Sequence, residues 1–241
     1  MSADGGRAVL ACDVFADEIA RLQSGPGISL HSVTWLEMGL HDHPENLRKC
    51  IQETISAIER DPAVGTILLA YGLCGQGLLG IRAGRCPLVL PRASDCVAIL
   101  LGGDARREAM LKDSPHTYFY TPGWVRGKRV PGPGREAHVR AMYTGKYDDE
   151  MIEELVGADR EAFAPYTRAC YVDITGDERA EHYSRQCADC LGWDFHREDG
   201  DPSMLRDLLA GPWDEGNFLV VPPGMHVAMG PNLVLQAAAD P

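Results

Sequence analysis

The chain lacks several things, and each absence removes a class of function. No apolar run approaches the roughly 18–20 residues of a membrane span. The opening, MSADGGRAVLAC, has no basic stretch followed by an apolar core, so it does not read as a secretory leader. Positive charge is scarce: 23 Lys and Arg stand against 35 Asp and Glu, for a net charge of −12. That balance argues against nucleic acid or an anionic membrane as the main partner. Internal repeats, low-complexity tracts and tandem CxxC pairs are also missing, and the last absence sets the chain apart from zinc ribbons. The expectation is a soluble cytoplasmic protein.

What is present is enough apolar residue for a full core, 45% of 241 residues. Short apolar runs alternate with helix-like segments. Strands are expected at 7–11, 29–36, 65–71, 87–91, 169–174, 193–197 and 217–221. Helices are expected at 13–23, from Pro44 to about residue 60, at 148–157, at 178–191 closed by Gly192, and at 203–210. The second of these is the best signalled: proline suits the first helical position, and Leu47, Ile51, Ile55 and Ile58 space as one face. Such alternation predicts an α/β fold, a mostly parallel sheet flanked by helices, possible as two Rossmann-like halves. The Pro- and Gly-rich stretch RGKRVPGPGREA (126–137) reads as irregular. It suggests a first half over 1–125, a linker or lid over 126–147, and a second half over 148–241 that closes the site.

In an open parallel sheet, ligands bind beyond the carboxyl ends of the strands. Cys12 ends the first expected strand, His41 follows the second, Cys74 the third and Cys96 the fourth. If those strands are neighbours, three thiols and an imidazole share one edge, which suits zinc or an iron–sulfur centre. His43 competes with His41 for that role. In a reducing compartment the other cysteines read as packing: Cys86 precedes its strand, Cys50 lies near a helix's apolar face, and Cys170 is inside a strand. Cys187 and Cys190 form one CxxC, placed mid-helix.

The loop around Cys74 supports three readings. GQGLLG, with Gly75, Gly77 and Gly80, matches a dinucleotide fingerprint, and Asp95 follows the next strand as a ribose-binding acid would. Cys74 also stands where serine stands in a nucleophile elbow, with His41, His43 or His116 as candidate bases. Alternatively the glycines let the backbone turn tightly so that the sulfur faces a metal. Arg92 is a candidate anion holder for a small substrate, or else a partner of Asp95 or Asp13. Tyr118, Tyr120 and Trp124 are candidates to line a pocket, or a strand ending in a Thr-Pro-Gly turn. The loop in VVPPGMHV (220–227) is expected to close the pocket from the second half.

AYGLCGQGLLGIRAG, PLVLPRASDCVAILLG, TYFYTPGW and FLVVPPG, with AC after the first strand and GLHDHPENLR, together resemble an uncharacterised bacterial and archaeal family known as a domain of unknown function. The resemblance implies a shared site at Cys12, His41, Cys74 and Cys96, favours His41 over His43, and leaves out the CxxC. It also implies an accessory or catalytic place in corrinoid-linked one-carbon methyl transfer, with a corrinoid protein or small-molecule substrate as partner. A cysteine-nucleophile enzyme and a metal or corrinoid delivery module are the alternatives.

Overall fold

The structure, a computed structural model, describes residues 5–231 and 234–239. Two compact units emerge: residues up to Arg107 together with those from Asp201 onward, and Glu108–Gly200. The sequence suggested a division across 126–147 instead, and the difference has a specific source. The expected strand near 217–221 does not continue the second half; it returns to the first unit's sheet.

In the first unit, β1 (Gly6–Cys12) leads through a 3-10 turn to α1 (Ala16–Gln23) and β2 (Ser32–Leu36). Then come α2 (Pro44–Ile58), β3 (Val64–Ala70), β4 (Leu88–Pro91), α3 (Cys96–Leu100) and α4 (Asp104–Asp113). The second unit holds β5 (Thr117–Tyr120), α5 (Pro122–Arg126), α6 (Arg135–Tyr143), α7 (Asp149–Phe163), β6 (Arg168–Asp173), α8 (Glu178–Leu191) and β7 (Asp194–Asp199). The chain re-enters the first unit with α9 (Ser203–Ala210), β8 (Phe218–Val221), β9 (His226–Met229) and β10 (Leu235–Ala238).

The first sheet has the order β2-β1-β3-β4-β8. The first four strands run parallel and β8 pairs antiparallel with β4. Alternation along the strands decides the two faces. Ala8, Leu10, Ile67, Leu69, Leu88 and Leu90 pack with Leu47, Ile51 and Ile55 of α2 in one fully buried cluster. The residues between them, Val9, Leu68 and Val89, are buried on the opposite face, where α9 meets β3 and β4. Both faces are therefore covered, and the near-continuous apolar strands follow from that. The second unit has its own parallel sheet, β5-β6-β7, and β9 and β10 form an antiparallel pair. No helix is long and apolar enough to cross a membrane among the described residues.

Three local expectations need correction. The Thr-Pro-Gly segment is no turn: Thr121 accepts a hydrogen bond from the Trp124 amide and Pro122 takes the first helical place, so α5 starts there. The 126–147 stretch is not irregular throughout, because α6 begins at Arg135 once the Gly-Pro-Gly run ends. The segment after Cys74 forms successive turns rather than the short helix that a dinucleotide fingerprint or a nucleophile elbow requires.

Candidate functional site

The strand order places a topological switch between β1 and β3, since the chain leaves β1 toward β2 on one side and returns to β3 on the other. The crevice at the carboxyl end of such a switch is where open α/β sheets bind ligands. Cys12 is the last residue of β1 and Cys74 lies four residues beyond β3, so these two cysteines flank that point. Cys96 begins α3, after the neighbouring strand β4.

The loops that follow β3 and β4 are zipped together. The Leu73 amide donates to the Ala93 carbonyl at 2.8 Å and the Cys74 amide to the Ser94 carbonyl at 3.0 Å. Gly72 makes this approach possible, since a Cβ there would lie 2.6 Å from the Cα of Asp95. Beyond it the backbone turns sharply, with positive φ at Cys74 (45°), Gly75 (67°) and Gln76 (72°). Two of those three residues carry side chains, and a left-handed conformation costs each of them about 1–3 kcal/mol. Gly77 seats the turn on α2, its missing side chain leaving room for Leu47, which a Cβ would meet at 2.5 Å. Gly75 and Gly77 are thus explained by backbone path and packing.

Cys12, Cys74 and Cys96 act on one another electrostatically. Burial, then the neighbouring Cys12, pushes the Cys74 thiol up to about 12. Cys96 is buried and is raised well above the ordinary thiol range, first by desolvation and then by Cys74. Working the other way, the amides of Gly72 and Cys96 hydrogen-bond toward the Cys74 sulfur and favour its charged form. Tyr71, 3% exposed, joins the group: burial raises its phenol, and Cys12, Cys74 and Cys50 raise it further. No oxygen or nitrogen partner reaches its hydroxyl among the described residues, and the thiol of Cys12 is the hydrogen-bonding neighbour. A buried hydroxyl left to so weak a partner costs about 1–3 kcal/mol.

The remaining candidates fall elsewhere. His41 sits in a 3-10 turn, Leu40–Asp42, exposed, with Nε2 3.4 Å from Asp42. No histidine is among the leading influences on Cys74, Cys96 or Tyr71. Among the described residues no group of three or more His, Cys, Asp or Glu is placed to hold a metal ion as it stands. Arg92 pairs with neither Asp95 nor Asp13; its guanidinium donates to the carbonyls of Glu215, Phe218 and Leu235 and clamps the C-terminal strands to β4. Asp95 caps α3, accepting from the Ala98 amide at 2.8 Å, and pairs with Arg107 at 2.8 Å. Both residues are taken up by the fold. Tyr118, Tyr120 and Trp124 lie in the second unit's aromatic cluster, as does Trp193. His116, considered as a base, also belongs to that unit, where its carbonyl accepts from Thr167 and Arg168.

Beside the Cys74 loop lies a cleft of about 560 Å³, lined by His43, Pro44, Glu45, Arg48, Gly75 and Gln76 among others. The Arg48 Nε at this cleft is buried without a partner.

Residues 35–209 match the family described as a protein of unknown function, DUF1638. The chain belongs to this family. Cys74 and Cys96 fall inside the DUF1638 match, whereas β1 with Cys12 precedes it. No curated protein and no solved structure matches the chain. Membership in DUF1638 brings no activity, so chemistry is argued from the site.

Sequence placement set the three thiols at one sheet edge, read Cys50 as packing, and left out Tyr71. Tyr71 carried a usable signal, as an aromatic residue immediately after β3. Cys50 had only its place near the apolar face of α2.

Proposed function

We propose that Cys12, Cys74 and Cys96 bind a soft metal centre, zinc or an iron–sulfur cluster, at the carboxyl edge of the first unit's sheet. One observation supports this reading: three buried or half-buried thiols from neighbouring strand ends act on one another, and amide donors at Cys74 favour charged sulfur. A neutral thiol is a weak acceptor, so the amides of Gly72 and Cys96 and the Tyr71 hydroxyl gain little from it. A cation that displaces the protons makes the sulfurs thiolates, and the same donors then orient and stabilise the ligands. The sulfurs are not preset around a single point, so binding requires them to turn about their Cα–Cβ bonds. His41 stays outside this donor set. A zinc held by three protein ligands keeps a position open, which is the kind of site that activates a thiol or polarises a small substrate.

A second reading makes Cys74 a nucleophile for a small anionic substrate. The adjacent cleft and the unpartnered Arg48 Nε favour it. Burial counts against it: with its thiol at about 12, roughly one Cys74 in a hundred thousand is thiolate at pH 7.

The test is elemental analysis and absorption spectroscopy of protein purified without oxygen, beside Cys74→Ala. Stoichiometric zinc, or iron with a charge-transfer band, lost in the variant supports the metal site. Protein that stays metal-free after anaerobic reconstitution overturns it and leaves Cys74 as the nucleophile. Transfer of the metal to a chelating partner without turnover favours a delivery module. The corrinoid role implied by the family resemblance is tested in the same preparation, where a thiol–cobalt contact shifts the absorption of added hydroxocobalamin.

A further inference from the structure

The second unit contains a cleft of about 540 Å³, within the range of small-molecule sites. Arg126, Lys128, Arg135 and His138 line it, and no acidic side chain does. In a chain where Asp and Glu outnumber Lys and Arg by twelve, two arginines, a lysine and a histidine on one cavity form a local reversal of charge. The remaining lining is apolar, with Val130 at 3% exposure and Tyr183 at the side. The first turn of α6 opens on it: Gly134, left-handed at φ 81°, stands at the cap position and no side chain caps the helix. The start of α6 therefore lies at the cleft, with the Arg135 amide bonded to the Gly132 carbonyl and Glu136 in the same turn.

The loop that builds the cleft is Pro- and Gly-rich, yet it is fastened at several points. The Tyr120 hydroxyl donates to the Pro131 carbonyl at 3.0 Å, and the Tyr183 hydroxyl to the Pro133 carbonyl at 3.0 Å. Between them Gly132 sits directly on Cys187, where a Cβ would come within 2.3 Å of the sulfur. Arg135 is held by a bidentate pair with Asp159 and lies over the Phe163 ring. The loop backbone and Arg135 are thus already ordered before a ligand arrives, and that lowers part of the entropic cost of binding. Arg135 is partly neutralised by Asp159, so Lys128 and His138 carry more of the recognition.

We infer that this cleft binds a small organic phosphate, its phosphate groups against Lys128, His138 and the start of α6 and its apolar body against Val130 and Tyr183. This site is independent of the thiol cluster.

The experiment is calorimetric titration of the full chain with ADP and with inorganic pyrophosphate, at low and at physiological salt. ADP is expected to bind with one-to-one stoichiometry, more tightly than pyrophosphate, and more weakly as salt rises. Lys128→Glu and His138→Ala are each expected to weaken ADP about tenfold or more, the usual effect of losing a hydrogen bond to a charged group. Cys74→Ala should bind ADP as the parent does. Thermal unfolding of each variant shows whether it is folded, and ADP should raise the midpoint of the parent and of Cys74→Ala by more than that of Lys128→Glu or His138→Ala. Absence of saturation by either probe at millimolar concentration overturns the inference. So does unchanged affinity in both folded variants. Pyrophosphate binding as tightly as ADP overturns the part assigned to the apolar wall.

Discussion

Two groups of cysteines in this molecule make opposite points. Cys187 and Cys190 are three residues apart on α8, yet one is fully buried under Gly132 and the other is exposed. Cys12, Cys74 and Cys96 are separated by 62 and 22 residues, and they act on one another at one edge of the sheet. Residues three apart on a helix are side by side, and Cys190 does act on Cys187, but they make only a local pair, whereas a parallel sheet returns distant strand ends to one edge. Spacing along the chain is therefore a poor guide to a thiol site here, and strand order is a good one.

The sharpest way to break that comparison is to exchange the two groups in a metal assay. Cys12→Ala, Cys74→Ala and Cys96→Ala should each abolish stoichiometric metal, while a Cys187→Ala/Cys190→Ala double variant should retain it; metal lost in the double variant would reverse the assignment. Next in size is the packing beneath each group. Gly72→Ala drives a Cβ into the Asp95 backbone, and a loss of about 1–3 kcal/mol is expected in urea unfolding. Gly132→Ala should cost a similar amount against Cys187, with partial recovery in Gly132→Ala/Cys187→Gly, because the positive φ of 146° at Gly132 remains strained.

Reactivity sharpens the contrast. In metal-free protein, exposed Cys190 should label first with iodoacetamide, and Cys74 should lag far behind at pH 7. The Cys74 rate should still climb about tenfold per pH unit up to pH 10, since its thiol titrates near 12. Rapid labelling of Cys74 at neutral pH would favour the nucleophile. The smallest effect is on acid stability. The Asp201 carboxyl is held below its usual range, first by the Ser203 amide and further by Arg106 and Arg206. Its contribution is present above the ordinary carboxylate pKa and is lost as pH falls through the lower folded value. Asp201→Asn should therefore flatten the acid limb of a stability–pH curve by a small but measurable amount.

The α/β alternation was legible because both-face burial leaves continuous apolar runs, and the three thiols were legible because each follows such a run. Other features depended on pairing that no local pattern encodes. The run Phe218–Val221 reads like any buried strand, and nothing in it announces an antiparallel partner in β4. Arg92 looked like an anion holder because its three carbonyl partners lie more than 120 residues away. Thr121 and Asp95 were readable in principle as helix caps, but the helices they start are only five residues long and carry little periodicity.

The late return of the chain to its first sheet bears on how the protein is made. Synthesis delivers β1 to β4 early, with Glu108–Gly200 to follow before α9 and β8 emerge. Until then one edge of β4 has no partner strand, and β3 and β4 lack the α9 cover over one face. A nascent chain in that state offers an open, apolar sheet edge to its neighbours. The sheet that carries the cysteines is thus begun first and completed last, and a chain truncated before residue 218 keeps every thiol of the site while lacking the strand that closes its sheet.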